Sequence, residues 1–147
     1  MSNKKIKTWI SDVSKGKHVA VASRLNDIYP IVDRIVRNLV CLDKVEYIWI
    51  GHDRIEVSSE AKLEGKRQKP ITEPGHPTAT GFSLIIEFPL KSVQFYEITS
   101  ATKGYGETML KAVLEALDPD WEVIIVLDYS HGFWEAMAEK YEQVYML

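Results

Sequence analysis

The chain has 147 residues, 46% of them hydrophobic and 27% charged, with a formal net charge of -3. That length suits one domain with a continuous core, and the balance excludes a disordered or fibrous chain and gives no overall electrostatic pull toward nucleic acid. A single cysteine, Cys41, excludes an intrachain disulfide and a cysteine-built zinc site, and its position after Leu39 and Val40 predicts a buried thiol. Met1 to Lys7 lack an apolar signal core, and no run approaches the ~18 apolar residues of a membrane span. A cytoplasmic protein with no membrane contact is therefore expected.

Ile6 to Val13 reads as a short helix and His18 to Ala22 as a strand or its lead-in. Asn26 and Asp27 offer caps to a helix that tolerates Pro30 in its first turn. Ile31, Val32, Ile35, Val36, Leu39 and Val40 form its apolar stripe, with Asp33, Arg34, Arg37 and Asn38 on the other side. Val45, Tyr47, Trp49 and Ile50, then Gly51-His52-Asp53-Arg54, then Ile55 to Val57 predict a hairpin. Residues 64 to 80 hold two glycines, three prolines and a basic group, and read as the longest loop, a plain surface loop with a substrate-side flap as the alternative.

Phe82 to Phe88 and Val93 to Thr99 are expected to pair antiparallel across Pro89-Leu90-Lys91-Ser92. Gly104 and Gly106 introduce a helix carrying Met109, Leu110, Val113, Leu114 and Leu117 on one face, stopped by Asp118-Pro119. Val123 to Leu127 suits a parallel strand covered on both faces, which implies a right-handed β–α–β crossover. A last helix is predicted from about Ser130 to Tyr141, capped by Asp128 or Ser130, leaving Glu142 to Leu147 for a short strand.

The segment Ser100-Ala101-Thr102-Lys103-Gly104-Tyr105-Gly106 lies between a strand and an amphipathic helix. Unpaired N–H groups at such a helix start favour a phosphate, and glycine lets the backbone approach it closely. A dinucleotide fingerprint would need a third glycine where Met109 stands, and the Gly-Lys-Ser/Thr of a Walker loop is missing. The four histidines, His18, His52, His76 and His131, lack ligand spacing, so no metal is expected, and His131 alone is placed near this segment.

The glycine segment and the later Phe133-Trp134-Glu135 together resemble the GNAT superfamily of acyl-CoA N-acyltransferases. Gly104 and Gly106 match that family's pattern of Arg or Gln, two residues, Gly, one residue, then Gly or Ala. Phe133-Trp134-Glu135 resembles its Phe-Tyr-Glu-Lys segment. The likeness spans about residues 93 to 141. It implies an α/β fold over residues 1–147, with a mixed, mostly antiparallel sheet, a central parallel β–α–β crossover and flanking helices.

The resemblance further implies that the strand ending at Thr99 parts from the one ending at Leu127, leaving a gap for the arm of acetyl-CoA. Ile98, Thr99 and Ala101 would bind the pantetheine. Thr102, Lys103, Gly104, Tyr105, Gly106, Glu107 and Thr108 would surround the pyrophosphate, and Ser130, Phe133 and Trp134 would flank the arm. The partner would be an amine acceptor, with a homodimer left open. Glu97 is the candidate base, and strand alternation groups it with Val93 and Phe95. Tyr141 and Tyr129 are the candidate donors to the departing thiolate. Ala101 and Trp134 depart from the family pattern, so the alternative is a catalytically degenerate binding or regulatory module of the same fold.

Overall fold

The structure, a computed structural model, describes residues 4–128, 130 and 132–147. In chain order its elements are α1 (Lys4–Val13), β1 (His18–Val21), α2 (Pro30–Leu39), β2 (Tyr47–Ile50), β3 (Arg54–Ser58), β4 (Ala61–Glu64) and β5 (Arg67–Pro70). There follow β6 (Thr80–Glu87), a short 3-10 turn (Phe88–Leu90), β7 (Ser92–Ser100), α3 (Tyr105–Ala116), β8 (Glu122–Ile125), α4 (Phe133–Lys140) and β9 (Val144–Met146). This is a mixed α/β fold. Its main sheet runs β1-β2-β3-β6-β7-β8-β9, with β2, β3, β6 and β7 paired antiparallel and the pairs β1–β2, β7–β8 and β8–β9 parallel. No helix among the described residues is long and apolar enough to cross a membrane.

Cross-strand partners share a face of the sheet, so the register sorts side chains into rows. One row joins Val19, Ile48, Val57, Phe82 and Ile98. This face carries the helices: Ile35, Val36 and Leu39 of α2 and Met109, Leu110 and Val113 of α3 are fully buried in the same core. Each such side chain contributes roughly 1.5–3 kcal/mol by leaving water. Arg34 Nε of α2 donates to the Ala116 carbonyl at 3.0 Å, and Asn38 Nδ2 donates to the Ala112 carbonyl at 2.9 Å. These two bonds fix α3 against α2 and satisfy carbonyls near its C-terminal end.

The adjacent row faces the other way and joins Trp49, Glu56, Ser83 and Glu97. Residues 64 to 80, expected as a loop, instead contain β5, which pairs with β4 across the two-residue turn Gly65-Lys66, with Gly65 at φ +66°. Arg67 docks this hairpin on the sheet. Its guanidinium lies 3.9 Å from the Trp49 ring centroid and donates to Glu56 at 2.7 Å, where the Glu56 side chain is only 7% exposed. A basic residue of the segment expected to be a loop is thus the hairpin's anchor. We expect Arg67→Ala to cost about 2 kcal/mol, below the ~3–5 for a wholly buried pair because the arginine is a third exposed. Urea unfolding checks this, and a loss under about 0.5 kcal/mol would remove the anchoring role.

Other expectations change for local reasons. Tyr29, not Asn26 or Asp27, occupies the cap position of α2; the Asp27 carboxylate instead accepts from the Ile28 amide at 2.9 Å and pairs with Lys5 at 2.8 Å. Cys41 is exposed, because α2 ends at Leu39 and the thiol turns back to the Arg37 carbonyl. β8 is covered on one face only and stops at Ile125, leaving Val126 and Leu127 45% and 42% exposed. α4 begins at Phe133 rather than Ser130.

Strand β7 carries an irregularity that decides where its side chains point. Leu84 pairs with Phe95 and Ser83 with Glu97, so Tyr96 is an extra residue, a β-bulge. Adjacent Leu84 and Ser83 face opposite ways, and their partners do too. Glu97 therefore lies opposite Phe95 and beside Thr99, which corrects the grouping drawn from simple alternation.

Candidate functional site

Strand β7 pairs with β8 only over Ser92–Gln94, against Glu122–Ile124, and then continues to Ser100 bonded to β6 but unpaired on its β8 side, while β8 ends at Ile125. The two parallel strands therefore part beyond Gln94. At the far end of the free stretch lies a cleft of ≈ 350 Å³. Ile98, Thr99 and Ser100 line it in succession. Neighbouring strand residues point to opposite faces, so three in a row mark the strand's edge, where backbone N–H and C=O groups are presented. Thr102, Lys103, Gly104 and Gly106 line it from the next loop, Ser130 and Phe133 from the start of α4, and Pro74, Gly75 and His76 from the segment before β6.

The loop is shaped by short-range bonds. The Ala101 amide donates to the Ala79 carbonyl at 3.3 Å, and the Tyr105 amide to the Thr102 carbonyl at 3.1 Å. Gly104, at φ +82°, turns the chain into α3, and a Cβ there would meet no atom within 4 Å. Gly106 differs: its Cβ would stand 3.1 Å from the Phe133 ring, so this glycine makes room for a cleft-lining side chain. The amides of Gly106 and Glu107, in the first turn of α3, make no backbone hydrogen bond among the described residues.

Of the residues implied by the resemblance, the cleft gathers Ile98, Thr99, Thr102, Lys103, Gly104, Gly106, Ser130 and Phe133. The remainder are directed elsewhere. Ala101 is exposed beside the cleft. Tyr105 donates to Asp43 at 2.7 Å and accepts from the Lys44 amide at 3.1 Å; burial first, then the Asp43 carboxylate, push its phenol up to about 12. Thr108 lies in a separate groove with Asn38 and Lys111. Trp134, 2% exposed, is a core residue packed between Phe95 and Phe133 at ring-centroid distances of 5.1 and 4.8 Å.

Glu107 is turned toward α4, where Lys140 and Tyr141 both donate to Oε2. The Lys140 bond, then the Tyr141 bond, hold its carboxyl below the usual range, and the same contact raises the Tyr141 phenol. The negative charge beside the glycine loop is thus compensated. Tyr141 in turn lines another groove, with Lys111 and Glu142.

Ser130 Oγ accepts from the Trp134 amide at 3.2 Å, and the Asp128 carboxylate accepts from the Ser130 amide at 2.8 Å, so both work at the start of α4 although Gly132 holds the cap position. Glu97 is half-buried and accepts from Thr72 Oγ1 at 2.7 Å. It stands on Thr99's face of β7, next to the cleft-lining Ile98. Tyr129 and His131 lie outside the described residues.

Pro74, Gly75 and His76 line the cleft although sequence reasoning did not place them there. Pro74-Gly75 marks a type II turn, and the turn forms, with Gly75 at φ +75° and the His76 amide donating to the Glu73 carbonyl at 3.2 Å. Nothing local says where that turn docks. Searches against protein-family models, curated proteins and solved structures find no match to this chain.

Proposed function

We propose that the chain is a cytoplasmic N-acyltransferase with a GNAT-like arrangement, taking an acyl group from acetyl-CoA or a related acyl-CoA to an amine. The observation that carries this reading is the unpaired edge of β7 leading into a cleft whose glycine loop presents α3 amides. The residues present fit such a group: space is open where a Cβ at Gly104 would stand, and Lys103 makes no ion pair among the described residues. The thioester supplies the acyl group. Ile98 to Ser100 would hold the pantetheine through backbone groups, and Lys103, Gly104 and the amides of Gly106 and Glu107 would hold the pyrophosphate.

Beyond positioning, the reaction needs a group to take the amine's proton. Glu97, oriented by Thr72, is that group in this reading. No proton donation is assigned to Tyr141, whose hydroxyl is engaged by Glu107, or to Trp134, which is buried and whose indole is not an acid. The engagement of the Tyr141 hydroxyl by Glu107 favours a second reading, a module that binds acyl-CoA without turnover.

Calorimetric titration with acetyl-CoA tests the binding, and release of free thiol on addition of amines separates the two readings. Gly104→Val is expected to weaken acetyl-CoA by more than about ten-fold, since the side chain fills the space beside the amides. Gly16→Val is the control, with a similar φ of +83° and open surroundings far from the cleft in the chain. Equal affinities in parent, Gly104→Val and Gly16→Val would remove the assignment.

A further inference from the structure

His76 shares the cleft with Lys103 and Gly104, and its ring is held in one orientation. Its Nδ1 accepts from two backbone amides, those of Thr78 at 3.2 Å and Ala79 at 2.9 Å. An imidazole nitrogen that accepts carries no proton, so the neutral ring bears its hydrogen on Nε2. No described residue bonds to Nε2. The support beneath the ring is also tied down. The Glu73–His76 turn is closed by its own hydrogen bond, and the Ala79 carbonyl accepts from Ala101, the first residue after β7. The N–H donor thus belongs to a fixed ring that lines the same cleft as Ser100, Thr102 and Lys103.

Resting on the acyl-CoA reading above, we propose that His76 determines ligand specificity by donating its Nε2–H to an anionic phosphate oxygen, so that the cleft prefers a phosphorylated thioester carrier to the bare pantetheine. A neutral donor adds recognition without a second charge beside Lys103. Hydrogen bonds to charged groups are the strong ones, and this bond is lost entirely when the ligand carries no phosphate.

His76→Asn separates the two halves of the ring. An asparagine oxygen can replace Nδ1 as acceptor for the Thr78 and Ala79 amides, while nothing remains at the Nε2 position. We expect CoA affinity to fall about ten- to a hundred-fold and pantetheine affinity to stay unchanged. His76→Gln, whose amide reaches toward the Nε2 position, should recover part of the loss. Independently, inorganic pyrophosphate should shift the His76 Nε2–H resonance of the parent protein in NMR, a readout that holds even if a variant folds poorly.

Parent-like CoA affinity in His76→Asn, or an equal loss for CoA and pantetheine, would overturn the phosphate role while leaving the acyl-CoA reading standing. Pyrophosphate shifting His76 in a protein that does not bind CoA would overturn that reading and keep the donor. Failure of both ligands to bind the parent overturns both.

Discussion

Gly81→Ala is expected to destabilise the protein by about 3 kcal/mol or more, although it adds one methyl group. Gly81 lies in β6, paired with Ser58 of β3 on one side and Thr99 of β7 on the other. A Cβ there would stand 2.2 Å from the Val57 carbonyl oxygen and 2.7 Å from the Ser58 Cα. Those are backbone atoms of a neighbouring strand, which cannot swing aside as a flexible side chain can. The β3–β6 ladder must open or β6 must shift, and a shift moves Thr99 at the cleft as well. Thermal unfolding should show a fall of roughly 10 °C for a chain of this length. Gly65→Ala, where only the φ of +66° is strained and the space is open, should cost about 1 kcal/mol. A Gly81→Ala melt within about 2 °C of the parent would mean that the strands do not approach this closely.

If the chain is the acyltransferase proposed above, Glu97→Gln is expected to lower acyl transfer by about 10²- to 10⁴-fold, the contribution of one positioned general base, with acetyl-CoA affinity nearly unchanged. Glutamine keeps the shape and can still accept from Thr72, so the variant removes ionisation and little else. The pH profile of kcat/KM makes the test specific. A base acts only when deprotonated, so turnover by the parent falls on the acidic side, and that fall should disappear in the variant. Equal rates and equal profiles would transfer proton removal to water. The bulge at Tyr96 turns Glu97 to the face that bears Ser83 and Thr99 rather than onto the helix-covered face with Phe95.

Much of the architecture was legible in local pattern. The stripe from Ile31 to Val40 could satisfy its apolar face only as a helix packed on a sheet, and α2 does so. The apolar runs on either side of Pro89-Leu90-Lys91 became β6 and β7 because a turn and β-rich flanks agree. The glycine segment formed a strand-to-helix loop because Gly104 accepts a left-handed φ that other residues resist. The resemblance then singled out eight residues that line one cleft, from Ile98 to Phe133.

The rest depended on contacts between segments distant in sequence. The pairing of β1 with β2 in parallel is set by how the intervening α2 packs, which neither strand's composition encodes. Arg67 looks like any surface cation until the hairpin lays it on Trp49 and Glu56. Tyr105, Glu107 and Tyr141 sit close to the glycine loop in sequence or motif, yet Asp43 and Lys140 draw their polar atoms away from the cleft. His76 enters the cleft from a loop more than twenty residues upstream of Ser100 because Ala79 and Ala101 bond across strand ends. By itself the sequence determined most of the helices and main-sheet strands and the strand-to-helix glycine turn, because backbone propensity and apolar period act over a few residues. Tertiary structure alone decided which side chains meet in the cleft, because a bulge of one residue or a docked turn redirects them without any local signal.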